Sequence, residues 1–234
     1  MADVTAPGRH PDPVDGGVSV VHEHHPALMH HFDDLGQQHE AATLGMWVFL
    51  VTEILFFGGL FAAYVVYRTR FPEAWAAGSH HLDLTLGAVN TAILIGSSLT
   101  MALAVHSAQT GSNRLLIVFL ILTVLLGGAF LGIKAVEYHR KYEEHHIPGP
   151  AFSHPGPLEG QVQLFFALYF AMTGMHALHM VVGVGLLLNL IRQARVGRFS
   201  RAYYTPVDMI GLYWHFVDIV WVFLFPLLYL LGRH

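Results

Sequence analysis

The chain has 234 residues, 54% of them hydrophobic and only 12% charged, with a formal net charge of −4 when the histidines are neutral. A soluble domain carries about a quarter charged residues, so this deficit points to a membrane protein, and the negative balance gives no footing for a nucleic-acid surface. Cysteine is absent, which excludes disulfides, iron–sulfur clusters, thiolate metal sites and cysteine nucleophiles together.

Residues 1–41 are polar and rich in Pro, Gly, Asp and His. They lack the apolar core of a signal peptide. Seven histidines fall here, including "HEHH" at 22–25 and the pair His30–His31. The segment reads as a flexible, solvated amino-terminal tail. Five apolar stretches follow, at 42–67, 84–107, 114–138, 160–191 and 208–231. Each reaches the ~20 residues that an α-helix needs to cross a hydrocarbon core of ~30 Å. The expected fold class is therefore all-α: a polytopic membrane bundle of five transmembrane helices filling one domain, 42–234.

The connections fall at 68–81, 107–113, 139–157 and 192–206. The third is rich in Pro and Gly and reads as an ordered cap or partner contact, or else as a solvated linker. An odd number of spans puts the termini on opposite sides. The amino-terminal side carries Arg114, Arg192, Arg195, Arg198 and Arg201, and the other side carries Arg68, Arg70, Arg140, Lys141 and Arg233. The count ties, but the last connection is the densest basic cluster. By the positive-inside rule it lies in the cytoplasm together with the amino terminus.

Ionisable residues inside the spans are costly and call for a reason. Glu53 sits near the centre of the first span and reads as a proton-exchanging carboxyl, a ligand, or a hydrogen bond to lipid or a neighbouring helix. Lys134 and Glu137 are three apart near the end of the third span. They form a local ion pair there, with side chains long enough to reach the interface. His176 and His179 share one face of the fourth span. They suit metal ligation with Glu53, Glu137 or Asp218, or hydrogen bonds to neighbours and lipid. Gly174, Gly183 and Gly185 point to close helix approach.

In the fifth span Trp214, Asp218 and Trp221 form one stripe. His215 and Asp218 are placed to bond each other or a partner helix, and Pro226 removes a helical hydrogen bond and kinks the segment. No phosphate loop, HExxH or serine-nucleophile constellation is present, so nothing in the chain assembles a self-sufficient active site.

Four motifs occur in order, each inside an expected span: "GMWVFLVTEILFFGGLFAAY", "GGAFLGIKAVEY", "FFALYFAMTGMHALHMVVG" and "YWHFVDIVWVFLFPLLYL". Together they resemble subunit III of the haem–copper oxidases, over about residues 42–232. The resemblance implies an all-helical subunit that binds no haem or copper itself and packs on the catalytic subunit I, which holds those cofactors in a complex with subunit II and further respiratory subunits. It implies phospholipid bound in a V-shaped cleft and support of proton entry and of the oxidase's lifetime. Glu53 matches the family's intramembrane carboxyl. His176 and His179 match its T-G-x-H-x-x-H motif, and Trp214, His215 and Asp218 its W-H-F-x-D motif. Arg192 stands where a lipid phosphate would be held.

Longer members of the family have seven spans, and the five here resemble the last five. The resemblance leads to a non-catalytic, lipid-binding subunit of a proton-pumping, cytochrome c-type terminal oxidase in a bacterial plasma membrane. A quinol oxidase subunit III and a nitric oxide reductase accessory subunit are the near alternatives. A membrane metalloenzyme built on Glu53, His176, His179 and Asp218 is the distant one.

Overall fold

The first helix begins before its apolar residues do. The Asp34 carboxylate accepts from the Gln37 backbone N–H at 2.7 Å, and the Gln37 side chain accepts from the Asp33 N–H at 2.8 Å. This is a reciprocal arrangement close to a capping box. Helix α1 therefore runs Leu35–Arg70, about 54 Å at 1.5 Å per residue, and its polar first turns extend beyond the apolar stretch. The boundary expected at residue 42 thus moves back to Leu35. The computed structural model describes residues 28–150, 152–153 and 157–231; the tail before residue 28, with its HEHH tract, lies outside the described residues.

The connection at 68–81 contains a helix of its own, α2 (Pro72–His80). Pro72 supplies the fixed φ of a first helical turn, where the N–H it lacks would have had no partner in the helix. Trp75 anchors it by edge contacts with Tyr64 and Phe165, at ring separations of 5.9 and 5.7 Å. The remaining helices are α3 (Leu84–Gln109), α4 (Asn113–Glu143), α5 (Glu159–Arg195) and α6 (Thr205–Phe225). Asp83 caps α3 by accepting from the backbone N–H groups of Thr85 and Leu86, at 3.0 and 3.1 Å. Pro226, which cannot donate to the turn before it, opens a π turn over Pro226–Leu230. The kink expected from the sequence takes that widened form.

Among the described residues five helices are long and apolar enough to cross a membrane: α1, α3, α4, α5 and α6 with its π turn. Their order is that expected. Helix α6 occupies the centre, packed against α1, α3 and α5, while α4 bridges α3 and α5. One end of the bundle gathers the start of α1, the α3–α4 turn and the α5–α6 connection. There His39 Nδ1 lies 3.1 Å from Thr205 Oγ1, Asn113 donates to the Ala194 carbonyl at 2.8 Å, and Arg201 donates to the Thr110 carbonyl at 2.8 Å.

At the opposite end the described part of the 139–157 connection folds back on the helix ends. The His146 ring stacks on Phe166 at 5.0 Å and 13°, and Phe152 is buried. Glu144 ties this cap together through Lys141 Nζ and through His146 Nδ1, the latter at 3.1 Å. Burial opposes charge on Glu144, but hydrogen bonds and charges from Lys141 and His146 outweigh it and hold the carboxyl below its usual range. A carboxyl depressed on folding contributes stability above its unfolded pKa and loses it as pH falls. Hydrogen-exchange protection around His146 is therefore expected to fall as the pH drops through the carboxylate range. A Glu144→Gln variant lacks the step, and an unaltered profile in that variant would disprove the linkage.

The core is built around one tryptophan. Trp214 is fully buried between α4 and α5, where a Cβ on Gly127 would lie 2.8 Å from its ring and one on Gly183 2.9 Å. Only glycine leaves room for the indole at these two positions. Of the three glycines expected to allow close approach, Gly183 does so. Gly185 has nothing within 4 Å, and Gly174 meets only the Tyr138 hydroxyl at 3.9 Å. Those two sit on a different face of α5 from the Trp214 contact.

Candidate functional site

Helices α1, α5 and α6 enclose a membrane-facing pocket of about 330 Å³, and Glu53 and His179 stand in its wall. Glu53 Oε2 lies 3.0 Å from His179 Nε2. The other ring nitrogen, Nδ1, is 2.8 Å from the Met175 carbonyl. A carbonyl only accepts, so Nδ1 carries a hydrogen. The Glu53 contact is then either a neutral acid donating to a neutral imidazole or a carboxylate paired with imidazolium. Either way one proton is shared between two seats inside the bilayer. Tyr213 closes the arrangement by donating to the His179 carbonyl at 3.0 Å. Met46, Phe49, Leu178 and Val182 make the rest of the wall apolar.

His176 and His179 are neighbours on the helix but serve different surroundings. The His176 ring is buried against Phe130 and Trp221, at 5.4 and 5.3 Å, and neither of its nitrogens has a hydrogen-bond partner among the described residues. Asp218 lines a separate groove between α3 and α6. Glu53, His176, His179 and Asp218 thus do not converge as a shared metal site would require, and the described residues hold no cluster of three or more such ligands.

The Lys134–Glu137 pair departs from its expected place at the interface. Both residues are buried, at 4% and 2% exposure. Lys134 Nζ lies 2.9 Å from Glu137 Oε2 and 2.7 Å from the Tyr229 hydroxyl, over the face of Trp221 at 4.6 Å. Tyr169 donates to Glu137 Oε1 at 2.8 Å, and Tyr229 donates to the same oxygen. Helix α5 and the π turn after Pro226 bring these two phenols over the pair and shut it in. Sequence spacing revealed the pair, but the tyrosines that enclose it come from 32 and 92 residues away, beyond any local pattern.

In α6 two of the three residues of the W-H-F-x-D motif, Trp214 and His215, have hydrogen-bond partners on α3. Trp214 Nε1 donates to Ser97 at 2.9 Å, and His215 Nδ1 lies 2.7 Å from Ser98 Oγ. Trp221 Nε1, one turn beyond Asp218, donates to Thr91 at 3.1 Å. His215 and Asp218 do not bond each other. Two hydroxyls of α3, at Ser97 and Ser98, receive the motif and a third, at Thr91, receives Trp221; polar residues recurring in an apolar span are the signal that finds them. Arg192 is exposed at the end of α5. With Arg195 it edges an apolar groove of about 370 Å³ lined by Val124, Leu125, Leu188 and Ile191.

The model of the family described as cytochrome c oxidase subunit III matches residues 20–233. The cytochrome c oxidase subunit 3 of Thermostichus vulcanus is 35% identical, over 81% of this chain and 87% of its own. The cytochrome bo(3) ubiquinol oxidase subunit 3 of Pseudomonas aeruginosa is 32% identical, over 85% and 92%. The quinol oxidase subunit 3 of Bacillus subtilis is 30% identical, over 81% and 86%. With its five spans, its ordered motifs and these relatives, the chain belongs to the cytochrome c oxidase subunit III family and is a multi-pass membrane subunit of a haem–copper terminal oxidase.

Proposed function

We propose that this chain is a non-catalytic, lipid-binding subunit of a proton-pumping, cytochrome c-type oxidase in the bacterial plasma membrane, with its amino terminus in the cytoplasm. It binds no haem or copper itself. It packs on the catalytic subunit I, which with subunit II carries those cofactors, and it supports proton uptake and the working lifetime of that subunit. The observation that carries the reading is the Glu53–His179 pair, a carboxyl and an imidazole hydrogen-bonded at 3.0 Å, in the wall of a membrane-facing pocket. Apolar walls with one polar pair suit a lipid chain and its ester region. The groove ending at Arg192 and Arg195 suits a lipid phosphate, since guanidinium pairs with phosphate oxygens through two parallel hydrogen bonds. The quinol-oxidase reading stands beside this one because relatives of both kinds match the chain over four fifths or more of its length.

Purification of the native assembly, with a haem spectrum and peptide identification, tests membership. Reduction by cytochrome c or by a quinol then assigns the donor. Glu53→Gln retains a hydrogen bond to His179 but cannot pass a proton along it. The variant is expected to start oxygen reduction at the unaltered rate, while proton pumping or survival through many turnovers declines. Complete and immediate loss of oxidase activity with normal haem content would contradict the role assigned to Glu53.

A further inference from the structure

The groove between α3 and α6 differs from the other bilayer-facing hollows in what it holds. Its volume is about 270 Å³, and Ser98, His215 and Asp218 line it between the exposed side chains of Ile95, Leu99 and Ile219. Asp218 is only 4% exposed, yet neither carboxyl oxygen has a hydrogen-bond partner of good geometry among the described residues. The Ser98 hydroxyl faces Asp218 and also lies 2.7 Å from His215 Nδ1. Asp218 is 13 residues from Thr205 and 12 from Leu230, so at 1.5 Å per residue it lies about 18–20 Å from either end of the span. That is the middle of the bilayer.

A buried carboxyl without a hydrogen bond is unfavourable anywhere and most of all in hydrocarbon, where no water completes the shell. A lipid chain filling the groove would leave it so, because lipid headgroups lie about half a bilayer away. A neighbouring helix can relieve it, because a polar side chain on such a helix can stand at that depth and hydrogen-bond across the interface. The other unpartnered polar residues within the spans offer no such opening: Asn90 is fully enclosed, and His176 is covered by Phe130 and Trp221.

We propose that the α3–α6 groove is the docking surface for a transmembrane helix of a neighbouring oxidase subunit, which donates a side-chain O–H or N–H to Asp218 at mid-bilayer depth. The proposal rests on the oxidase-subunit reading given above and names the face through which that subunit assembles. Ile95, Leu99 and Ile219 supply the apolar rim that such a helix covers, and His215, oriented by Ser98, lines the groove beside the acid.

The test uses the intact assembly carrying a photo-crosslinking residue at Leu99 or at Ile219, with Val118 on the outer face of α4 as the control. Expected are adducts with another oxidase subunit from both groove positions and lipid adducts from Val118. Asp218→Leu is expected to lower retention of the chain through a detergent wash about tenfold, the order of one lost hydrogen bond, while Asp218→Asn, which still accepts, keeps most of it. Lipid adducts alone from both Leu99 and Ile219, in an assembly where the chain has co-purified with haem, would overturn the docking surface and leave the oxidase reading intact. Absence of the chain from every haem-containing assembly would overturn both.

Discussion

Replacing Lys134 alone by Met is expected to destabilise the subunit by about 3–5 kcal/mol, because it leaves the Glu137 charge buried and uncompensated. Glu137→Gln should cost less than Lys134→Met, since the amide still accepts from the phenols. The double replacement Lys134→Met/Glu137→Met should be milder than Lys134→Met. A buried ion pair is often matched by apolar residues of similar volume, and the Tyr169 and Tyr229 hydroxyls lie within reach of each other once the carboxyl is gone. Thermal unfolding of the purified assembly in detergent, followed by dissociation of this chain, measures all three. A double variant less stable than Lys134→Met would mean that the pair performs more than mutual neutralisation in this core.

The second large effect concerns the slot for Trp214. Trp214→Ala empties a cavity walled by Gly127, Gly183 and Met180 and is expected to cost about 3–5 kcal/mol. Gly183→Ala instead drives a Cβ to 2.9 Å from the indole and should cost about 1–3 kcal/mol by overpacking. The two sites share one contact and are therefore not additive. Pairing Gly183→Ala with Trp214→Phe, which withdraws the outer indole ring, should cost less than the sum of the two single changes. Strict additivity in such a cycle would show that the helices part around the methyl group rather than clash with it.

How much of this was legible in advance follows from the range over which each signal acts. Hydrophobic length alone found all five spans, because the bilayer imposes it on every helix. The start of α1 was missed although Asp34 and Gln37 spell a capping pattern, since attention to hydropathy began counting at the apolar residues. Helix α2 was hidden in a connection for a related reason: nine residues beginning with proline read as a loop when only their length is weighed. Glu53, His176, His179 and Asp218 stand out in the sequence because ionisable groups are costly in lipid. Spacing along α5 suggested that its two histidines work together, and the fold separates them, because 3.6 residues per turn leaves neighbours at i and i+3 facing different helices once both flanks are occupied. Lys134 and Glu137 were placed at the water interface for want of any local sign of Tyr229, which reaches them only because the turn after Pro226 widens.

The first span meets the rest of the bundle almost entirely through the last parts of the chain to be made. Tyr64 donates to the Leu227 carbonyl, Arg68 to the Leu231 carbonyl, and His39 lies against Thr205. Helices enter the bilayer one at a time and associate afterwards, so α1 must wait in lipid, its Glu53 side unsheltered, until α5 and α6 have emerged from the ribosome. Assembly of this bundle is therefore a closure reaction in which α6 seals α1 against the helices between them. A chain stopped before Thr205 would keep the Glu53–His179 contact but lose those of Tyr64, Arg68 and His39, leaving α1 held at one point along its length.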